Sequence, residues 1–139
     1  APVALGRPRV RPAMPTPPEL RILIADDDRD QRAGLVELVS GLGAEVLEAE
    51  TGTEALAILR RWRLQLALLD NHMPGCTGLE ILTTVREERI VVPCILLSGE
   101  ANEIVRKSAL QEGALAVLKK PFEPALLRDE VRRVLGHAA

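Results

Sequence analysis

Carboxylates and a lysine follow three separate apolar runs of this sequence. The runs and the polar residues after them are 21–25 with Asp26-Asp27-Asp28, 64–69 with Asp70, and 114–118 with Lys120. If the runs are neighbouring parallel strands, their carboxyl ends meet in one crevice. Clustered carboxylates repel one another unless a divalent cation lies among them, and Mg²⁺ prefers oxygen ligands. The sequence therefore predicts a magnesium site beside a lysine.

Strands and helices alternate in the pattern that would bring these residues together. Predicted strands cover residues 21–25, 44–49, 64–69, 92–97 and 114–118, and predicted helices cover 31–42, a segment opened by Thr51-Gly52-Thr53-Glu54, 79–88, 102–112 and 123–135. The run 21–25 is continuous and apolar enough for a strand buried on both faces. The alternation predicts an α/β fold with a parallel sheet, right-handed crossovers and helices on both faces.

Composition narrows the possible functions. The 139 residues are 47% hydrophobic and 27% charged with a net charge of -2, which predicts one globular domain and no charge-driven binding of nucleic acid. Trp62 and Phe122 are the only aromatic residues, so a stacking platform for bases cannot be built. Protein partners are the expectation.

The cellular setting is predicted from what the sequence lacks. No apolar stretch reaches the roughly 18 residues of a membrane span, and no secretory signal pattern is present. Cys76 and Cys94 have no C-x-x-C spacing, so both are interpreted as packing residues rather than ligands. We expect a cytoplasmic protein with no membrane contact.

Residues 1–18 differ in composition from the rest of the chain. They hold prolines at positions 2, 8, 12, 15, 17 and 18, and their only charges are Arg7, Arg9 and Arg11. Such segments tend to be extended and act as tails or linkers. A peptide-docking motif is the alternative, but the prolines form no clean repeated PxxP pattern. The folded domain is expected over residues 19–137.

Four short motifs together resemble the receiver domain of two-component response regulators. They are Asp26-Asp27, Asp70 followed by Met73-Pro74-Gly75 and Gly78, Ser98-Gly99, and Lys120-Pro121-Phe122. Each motif alone is weak, but all four occur in order at successive strand ends over residues 20–135. The resemblance implies a doubly wound, flavodoxin-like sheet of five parallel strands in the order 2-1-3-4-5.

The resemblance also implies a role for each acidic residue of the site. Asp70 would accept a phosphoryl group from a phosphohistidine of a histidine kinase or phosphotransfer protein; otherwise it is a capping acid at a strand end. Mg²⁺ would be held by Asp70, by Asp27 directly, by Asp26 through water, and by the backbone carbonyl of His72. The His72 side chain would border the path of the hydrolysing water, or else be an exposed loop histidine. Asp28 is expected to cap the first helix.

Lys120 and Ser98 complete the implied site. Lys120 would pair with Asp70 and then with a phosphoryl oxygen, the alternative being a solvated lysine. Ser98 would donate its hydroxyl to another phosphoryl oxygen, the alternative being a helix cap. One position departs from the family: Val117 stands where many receivers have an aromatic residue that turns inward on activation. Because of this departure, the sequence does not specify how phosphorylation of Asp70 changes the outer surface of the domain.

Other classes of protein fit these residues less well. A phosphohydrolase of the haloacid-dehalogenase type has a second acid two residues after its nucleophile, where this chain has His72. A flavodoxin needs a phosphate-cradling loop after the first strand, where this chain has acids. The stronger rival is a receiver-like scaffold that works without phosphorylation. We expect a switch rather than a metabolic enzyme, with output through an unknown protein partner or a homodimer.

Overall fold

The sheet has five parallel strands in the order β2-β1-β3-β4-β5. The computed structural model describes residues 20–100 and 102–138, so the proline-rich residues 1–18 lie outside the described part. The strands are β1 (Arg21–Ala25), β2 (Glu45–Ala49), β3 (Leu66–Asp70), β4 (Cys94–Ser98) and β5 (Ala116–Lys119). The helices are α1 (Arg29–Ser40), α2 (Gly52–Arg61), α3 (Gly78–Glu87), α4 (Glu103–Gln111) and α5 (Pro124–Ala138). The predicted fold class and strand order are confirmed.

Apolar side chains cover both faces of the sheet. On one face, residues such as Leu23 and Leu96 pack with Ala55 of α2, Ile81 of α3 and Ala109 of α4. On the other face, residues such as Ile24 and Leu97 pack with side chains of α1 and α5. The near-continuous apolar strands are explained by this two-sided burial. None of the described helices has the length and apolar character needed to cross a membrane.

Several strands end later than the apolar pattern predicted. β3, β4 and β5 each begin two residues after the predicted start and end one residue beyond the predicted end. Asp70 pairs with Leu97, and Ser98 pairs with Lys119, because backbone pairing continues after the side chains become polar. Asp70 and Ser98 are therefore the last residues of their strands and are positioned by the sheet.

Side-chain caps determine where the helices begin. α1 begins at Arg29, two residues before its predicted start, because the Asp28 carboxylate accepts the backbone N–H of Gln31 at 3.0 Å. The predicted capping role of Asp28 is thus confirmed. Thr51, Thr77 and Asn102 cap α2, α3 and α4 in the same way.

Both cysteines are free thiols that are at least partly removed from solvent. Cys94 lies in the core, and burial raises the pKa of its thiol to about 12. Cys76 is half-buried and also unpaired, and burial raises the pKa of its thiol. Thiols with raised pKa values are poor nucleophiles and poor metal ligands at neutral pH, which agrees with the packing interpretation.

Candidate metal and phosphoryl site

Three carboxylates meet at the carboxyl ends of β1 and β3. Oxygen atoms of Asp26, Asp27 and Asp70 all lie within 4.8 Å of one another. Asp26 is fully buried and Asp70 is 5% exposed, whereas Asp27 faces solvent. The donor set consists of oxygen atoms only, which suits a hard cation such as Mg²⁺ that keeps some of its waters. These residues fit the predicted metal.

The surroundings make Asp70 hard to ionise. Burial raises the pKa of Asp70, and the charges of Asp26 and Asp27 raise it further, while the hydrogen bond and charge of Lys120 only partly offset these effects. A cation among the three carboxylates would remove the repulsion. The site is thus built to favour ionised Asp70 when positive charge is added.

Lys120 supplies a positive charge at the site from the end of β5. Its Nζ lies 3.0 Å from Asp70 Oδ1 and 3.2 Å from Asp26 Oδ2. Burial alone would lower the pKa of Lys120, but the hydrogen bond and charge of Asp70, followed by those of Asp26, outweigh it and raise that pKa. Lys120 is therefore a charged partner of the cluster rather than a solvated lysine. The Lys120-Pro121 peptide bond is cis.

Asp26 is held in place through its backbone and its side chain. Its backbone N–H donates to the carbonyl of Ala49 at 3.0 Å, and its carbonyl accepts from Arg32 Nη1 at 2.7 Å. Its Oδ1 accepts the backbone N–H of Asp28 at 2.9 Å. These bonds fix the loop between β1 and α1, which carries Asp27.

Ser98 is the last residue of β4, the strand next to that of Asp70, and His72 lies on the loop that follows Asp70. The Ser98 hydroxyl is buried at the end of β4 and accepts the backbone N–H of Glu100 at 3.0 Å, which leaves its hydrogen free to donate. His72 is exposed, and its Nε2 lies 2.9 Å from Glu100 Oε1. This pair joins the loops that follow Asp70 and Ser98. The ligand role of the His72 carbonyl stays a prediction.

The loop between β3 and α3 packs against the start of α2. The backbone N–H of Gly52 donates to the carbonyl of Pro74 at 2.9 Å. Gly75 has a φ of +89°, and a Cβ atom there would lie 2.7 Å from Thr53 Oγ1. Glycine at these two positions lets the loop approach α2 closely, and that contact sets where the loop leaves Asp70.

Replacing Gly52 by alanine is expected to lower the free energy of unfolding by about 1–3 kcal/mol, as overpacking does in other proteins. A Cβ atom at this position would lie 2.2 Å from the carbonyl oxygen of Cys76, which is backbone and cannot move freely. Urea unfolding measures the change. Gly34→Ala in α1 is the control, because its Cβ meets nothing within 4 Å, and it should stabilise. Equal effects of the two variants would contradict the packing argument.

Three residues near the site were not predicted from the sequence. Gln31 accepts a hydrogen bond from Lys120, Arg32 holds the Asp26 carbonyl, and Glu100 pairs with His72. The helical spacing in the sequence could have pointed to Arg32, because this charged residue lies on the same face of α1 as the buried Leu35 and Val39. A charged residue on a buried face needs a partner, and Arg32 has Glu48 at 2.9 Å.

The comparison with known families agrees with this geometry. The profile of the response regulator receiver domain matches residues 22–132, a stretch that includes the acidic loop, Asp70 and Lys120. The chain belongs to the response regulator receiver family. It is thus related to the receiver domains of two-component signalling systems.

Individual relatives of this receiver domain cover most of the chain. It is 31% identical over 118 residues to the chemotaxis protein CheY of Pseudomonas aeruginosa, covering 83% of this chain and 95% of that protein. It is 36% identical over 115 residues to the transcriptional regulatory protein CpxR of Klebsiella pneumoniae, covering 83% of this chain and 49% of that protein. The chain thus spans about half the length of several curated relatives.

One similar structure contains a metal ion. It is the receiver domain of a sensor histidine kinase from Pseudomonas aeruginosa, with magnesium coordinated in its active site cleft. The TM-score is 0.74 and the identity 26%, with 84% of this chain and 98% of that chain covered.

Proposed function

We propose that Asp70 of this receiver domain accepts a phosphoryl group from a phosphohistidine of a histidine kinase or phosphotransfer protein in a Mg²⁺-dependent reaction. The observation that carries the proposal is the meeting of Asp26, Asp27 and Asp70 within 4.8 Å, with Lys120 Nζ 3.0 Å from Asp70. A carboxylate nucleophile, an oxygen-rich cation site and a fixed ammonium are what phosphoryl transfer to an acid requires.

In the proposed reaction, a carboxylate oxygen of Asp70 forms a bond to phosphorus as the bond from phosphorus to the histidine nitrogen breaks. The electron pair of that bond stays with the imidazole of the donor, which takes up a proton. Lys120 donates to a phosphoryl oxygen from one side, and Ser98, at the end of the strand next to that of Asp70, donates its free hydroxyl hydrogen to another. Both donors compensate charge on the equatorial oxygens.

Mg²⁺ would be held by Asp27 directly, by Asp26 through water, and by Asp70 and the backbone carbonyl of His72. When bound, it supplies the positive charge that offsets repulsion between the carboxylates and the incoming phosphoryl oxygens. The oxygen-only cluster supports this assignment, as does the magnesium in the related receiver of the sensor kinase.

Intact-protein mass after incubation with phosphoramidate tests the proposal. The chain should gain one phosphoryl group with Mg²⁺ present and none when EDTA removes the metal. A folded, Mg²⁺-binding protein that gains nothing would contradict the proposal and favour the scaffold reading. Once the small donor succeeds, a histidine kinase or a phosphotransfer protein is tested as the phosphoryl donor.

The scaffold remains the second candidate because of Val117. This side chain is 2% exposed and packs in the core with Leu96 and Ala109, so no aromatic ring turns at this position. We therefore place the response to phosphorylation in Ser98 and the loop that follows it.

Output would pass to a protein partner or through a homodimer. The domain would act as a cytoplasmic switch rather than as an enzyme with a separate substrate.

The pair between His72 and Glu100 is expected to slow loss of the phosphoryl group. It joins the loops that follow Asp70 and Ser98 at 2.9 Å. We expect this link to restrict how water approaches Asp70. Glu100→Gln or His72→Ala should shorten the phosphorylated lifetime by up to about fivefold, since an exposed pair contributes at most about 1 kcal/mol. Mass spectrometry over time after removal of the donor measures the lifetime. Glu103→Gln in α4 is the control, and a lifetime unchanged in all three variants would contradict the expectation.

A further inference from the structure

Arg32 is a buried arginine whose guanidinium group joins the acidic loop of the site to the edge strand β2. The residue is 8% exposed and lies on the packed face of α1. Nη1 donates to the backbone carbonyl of Asp26 at 2.7 Å, and Nε donates to Glu48 Oε1 at 2.9 Å. Nη2 lies 3.7 Å from Glu50 Oε2. The contact of Arg32 with the site is therefore made through the backbone of the site.

The carbonyl that Arg32 binds belongs to the peptide bond between Asp26 and Asp27. Because a peptide is planar, the direction of this carbonyl determines where the backbone of Asp27 begins. Asp27 is exposed and is the residue proposed to bind Mg²⁺ directly. The backbone N–H of Asp26 donates to the carbonyl of Ala49, at the end of β2, and Arg32 reaches the same strand through Glu48. The two contacts hold Asp26 at its N–H and at its carbonyl.

Arg32 has two effects on Mg²⁺ binding, and their signs are opposite. Its positive charge repels a cation in the neighbouring acidic cluster. Its hydrogen bond holds the loop in the position that brings Asp27 within 4.8 Å of the other two carboxylates. The charge is partly compensated by Glu48 and Glu50, whereas the hydrogen bond is charge-assisted and buried. The positioning effect should therefore exceed the repulsion.

We propose that Arg32 is a positioning residue of the metal site. By holding the peptide between Asp26 and Asp27 against the end of β2, it raises the affinity for Mg²⁺ although it carries a positive charge itself. This inference rests on the proposed function, in which Asp27 binds the ion directly.

Titration calorimetry with Mg²⁺ alone as the probe tests the proposal on wild type and Arg32→Met. Methionine keeps an apolar side chain on the packed face of α1 but has no N–H donor. The Mg²⁺ affinity should fall about 10–100-fold, the effect typical of residues that orient metal ligands. A Mg²⁺ affinity of Arg32→Met equal to or above that of wild type would overturn the inference, because repulsion would then outweigh positioning.

Arg29→Gln is the matched control. Arg29 is an exposed arginine at the first residue of α1, three positions before Arg32. Removal of its charge leaves the bond to the Asp26 carbonyl in place, so the Mg²⁺ affinity should stay within about twofold of wild type or become tighter. Equal weakening in Arg29→Gln and Arg32→Met would also overturn the inference.

Urea unfolding separates positioning from a purely structural role. Loss of packing or of a hydrogen bond lowers the free energy of unfolding equally with and without Mg²⁺. Weaker Mg²⁺ binding adds a further loss when the ion is saturating for wild type. The stability lost in Arg32→Met should therefore be larger with Mg²⁺ than without it, and equal losses would contradict the proposal.

Arg32→Lys provides the test if Arg32→Met does not fold. Lysine keeps the positive charge and the apolar stem, but a single ammonium group cannot replace the planar fork that reaches the Asp26 carbonyl and Glu48 together. It should bind Mg²⁺ roughly threefold or more weakly than wild type, as expected for loss of one hydrogen bond. Wild-type affinity in folded Arg32→Lys would overturn the inference alone. A wild-type chain that binds no Mg²⁺ would overturn the proposed function together with it.

Discussion

Asp70→Asn is expected to abolish phosphoryl incorporation and, at neutral pH, to make the unphosphorylated protein more stable. The amide has no carboxylate oxygen to attack phosphorus. It also removes an ionised group whose pKa is raised in the folded state by burial and by the charges of Asp26 and Asp27, despite Lys120. Loss of such a group typically raises the free energy of unfolding by about 0.5–2 kcal/mol, as in other active sites where function opposes stability.

The pH dependence of this stabilisation follows from the direction of the pKa shift. A carboxyl group with a raised folded-state pKa binds its proton more tightly when folded than when unfolded. Its destabilising effect is absent below the unfolded pKa, near 3.9, and is complete above the folded pKa. The difference in stability between Asp70→Asn and wild type should therefore vanish in acid and be largest at neutral pH.

Urea unfolding from acid to neutral pH without Mg²⁺ measures the stability change, and intact-protein mass after phosphoramidate measures incorporation. Asp129→Asn on the exposed side of α5 is the control and should change neither quantity. Incorporation that persists in Asp70→Asn would show that another residue is the acceptor. A variant less stable than wild type at neutral pH would show that the pairing with Lys120 outweighs burial.

The second large effect concerns Mg²⁺. Asp27→Asn is expected to weaken Mg²⁺ binding at least tenfold, since an amide replaces a charged ligand and the site depends on charge. Asp27 faces solvent, so the variant should fold normally. A ligand at 100 times its dissociation constant stabilises a protein by about 2.7 kcal/mol. Wild type should show stabilisation of this order in Mg²⁺, and Asp27→Asn should lose most of it.

Asp28→Asn is the matched control for the magnesium prediction. Asp28 is the next carboxylate along the chain, but its side chain caps α1 and does not belong to the acidic cluster. Asparagine caps helices as well as aspartate does, so this variant should keep both its stability and its Mg²⁺ affinity. Titration calorimetry compares the three proteins. Equal weakening in Asp27→Asn and Asp28→Asn would mean that general negative charge, rather than the cluster, attracts the ion.

Much of the fold and of the site could be predicted because one physical rule links them. Apolar runs that end in Asp26, Asp70 and Lys120 indicate buried strands, and the carboxyl ends of parallel strands meet. Asp28 was predicted as a cap because short acids accept backbone N–H groups at helix starts. The ends of β3 and β4 were misplaced by one residue, since side-chain polarity does not stop the backbone pairing of Asp70 and Ser98.

The sequence by itself determined the alternation of strands and helices and the polar residues at the strand ends, because hydrophobic periodicity and capping are local properties. The strand order came from family resemblance and is confirmed by the sheet. Only the tertiary structure placed Gln31 against Lys120, 89 positions later, and Glu100 against His72, 28 positions earlier. Contacts of this kind depend on how helices and loops pack across the sheet, and no local pattern in the chain encodes which polar side chains then meet.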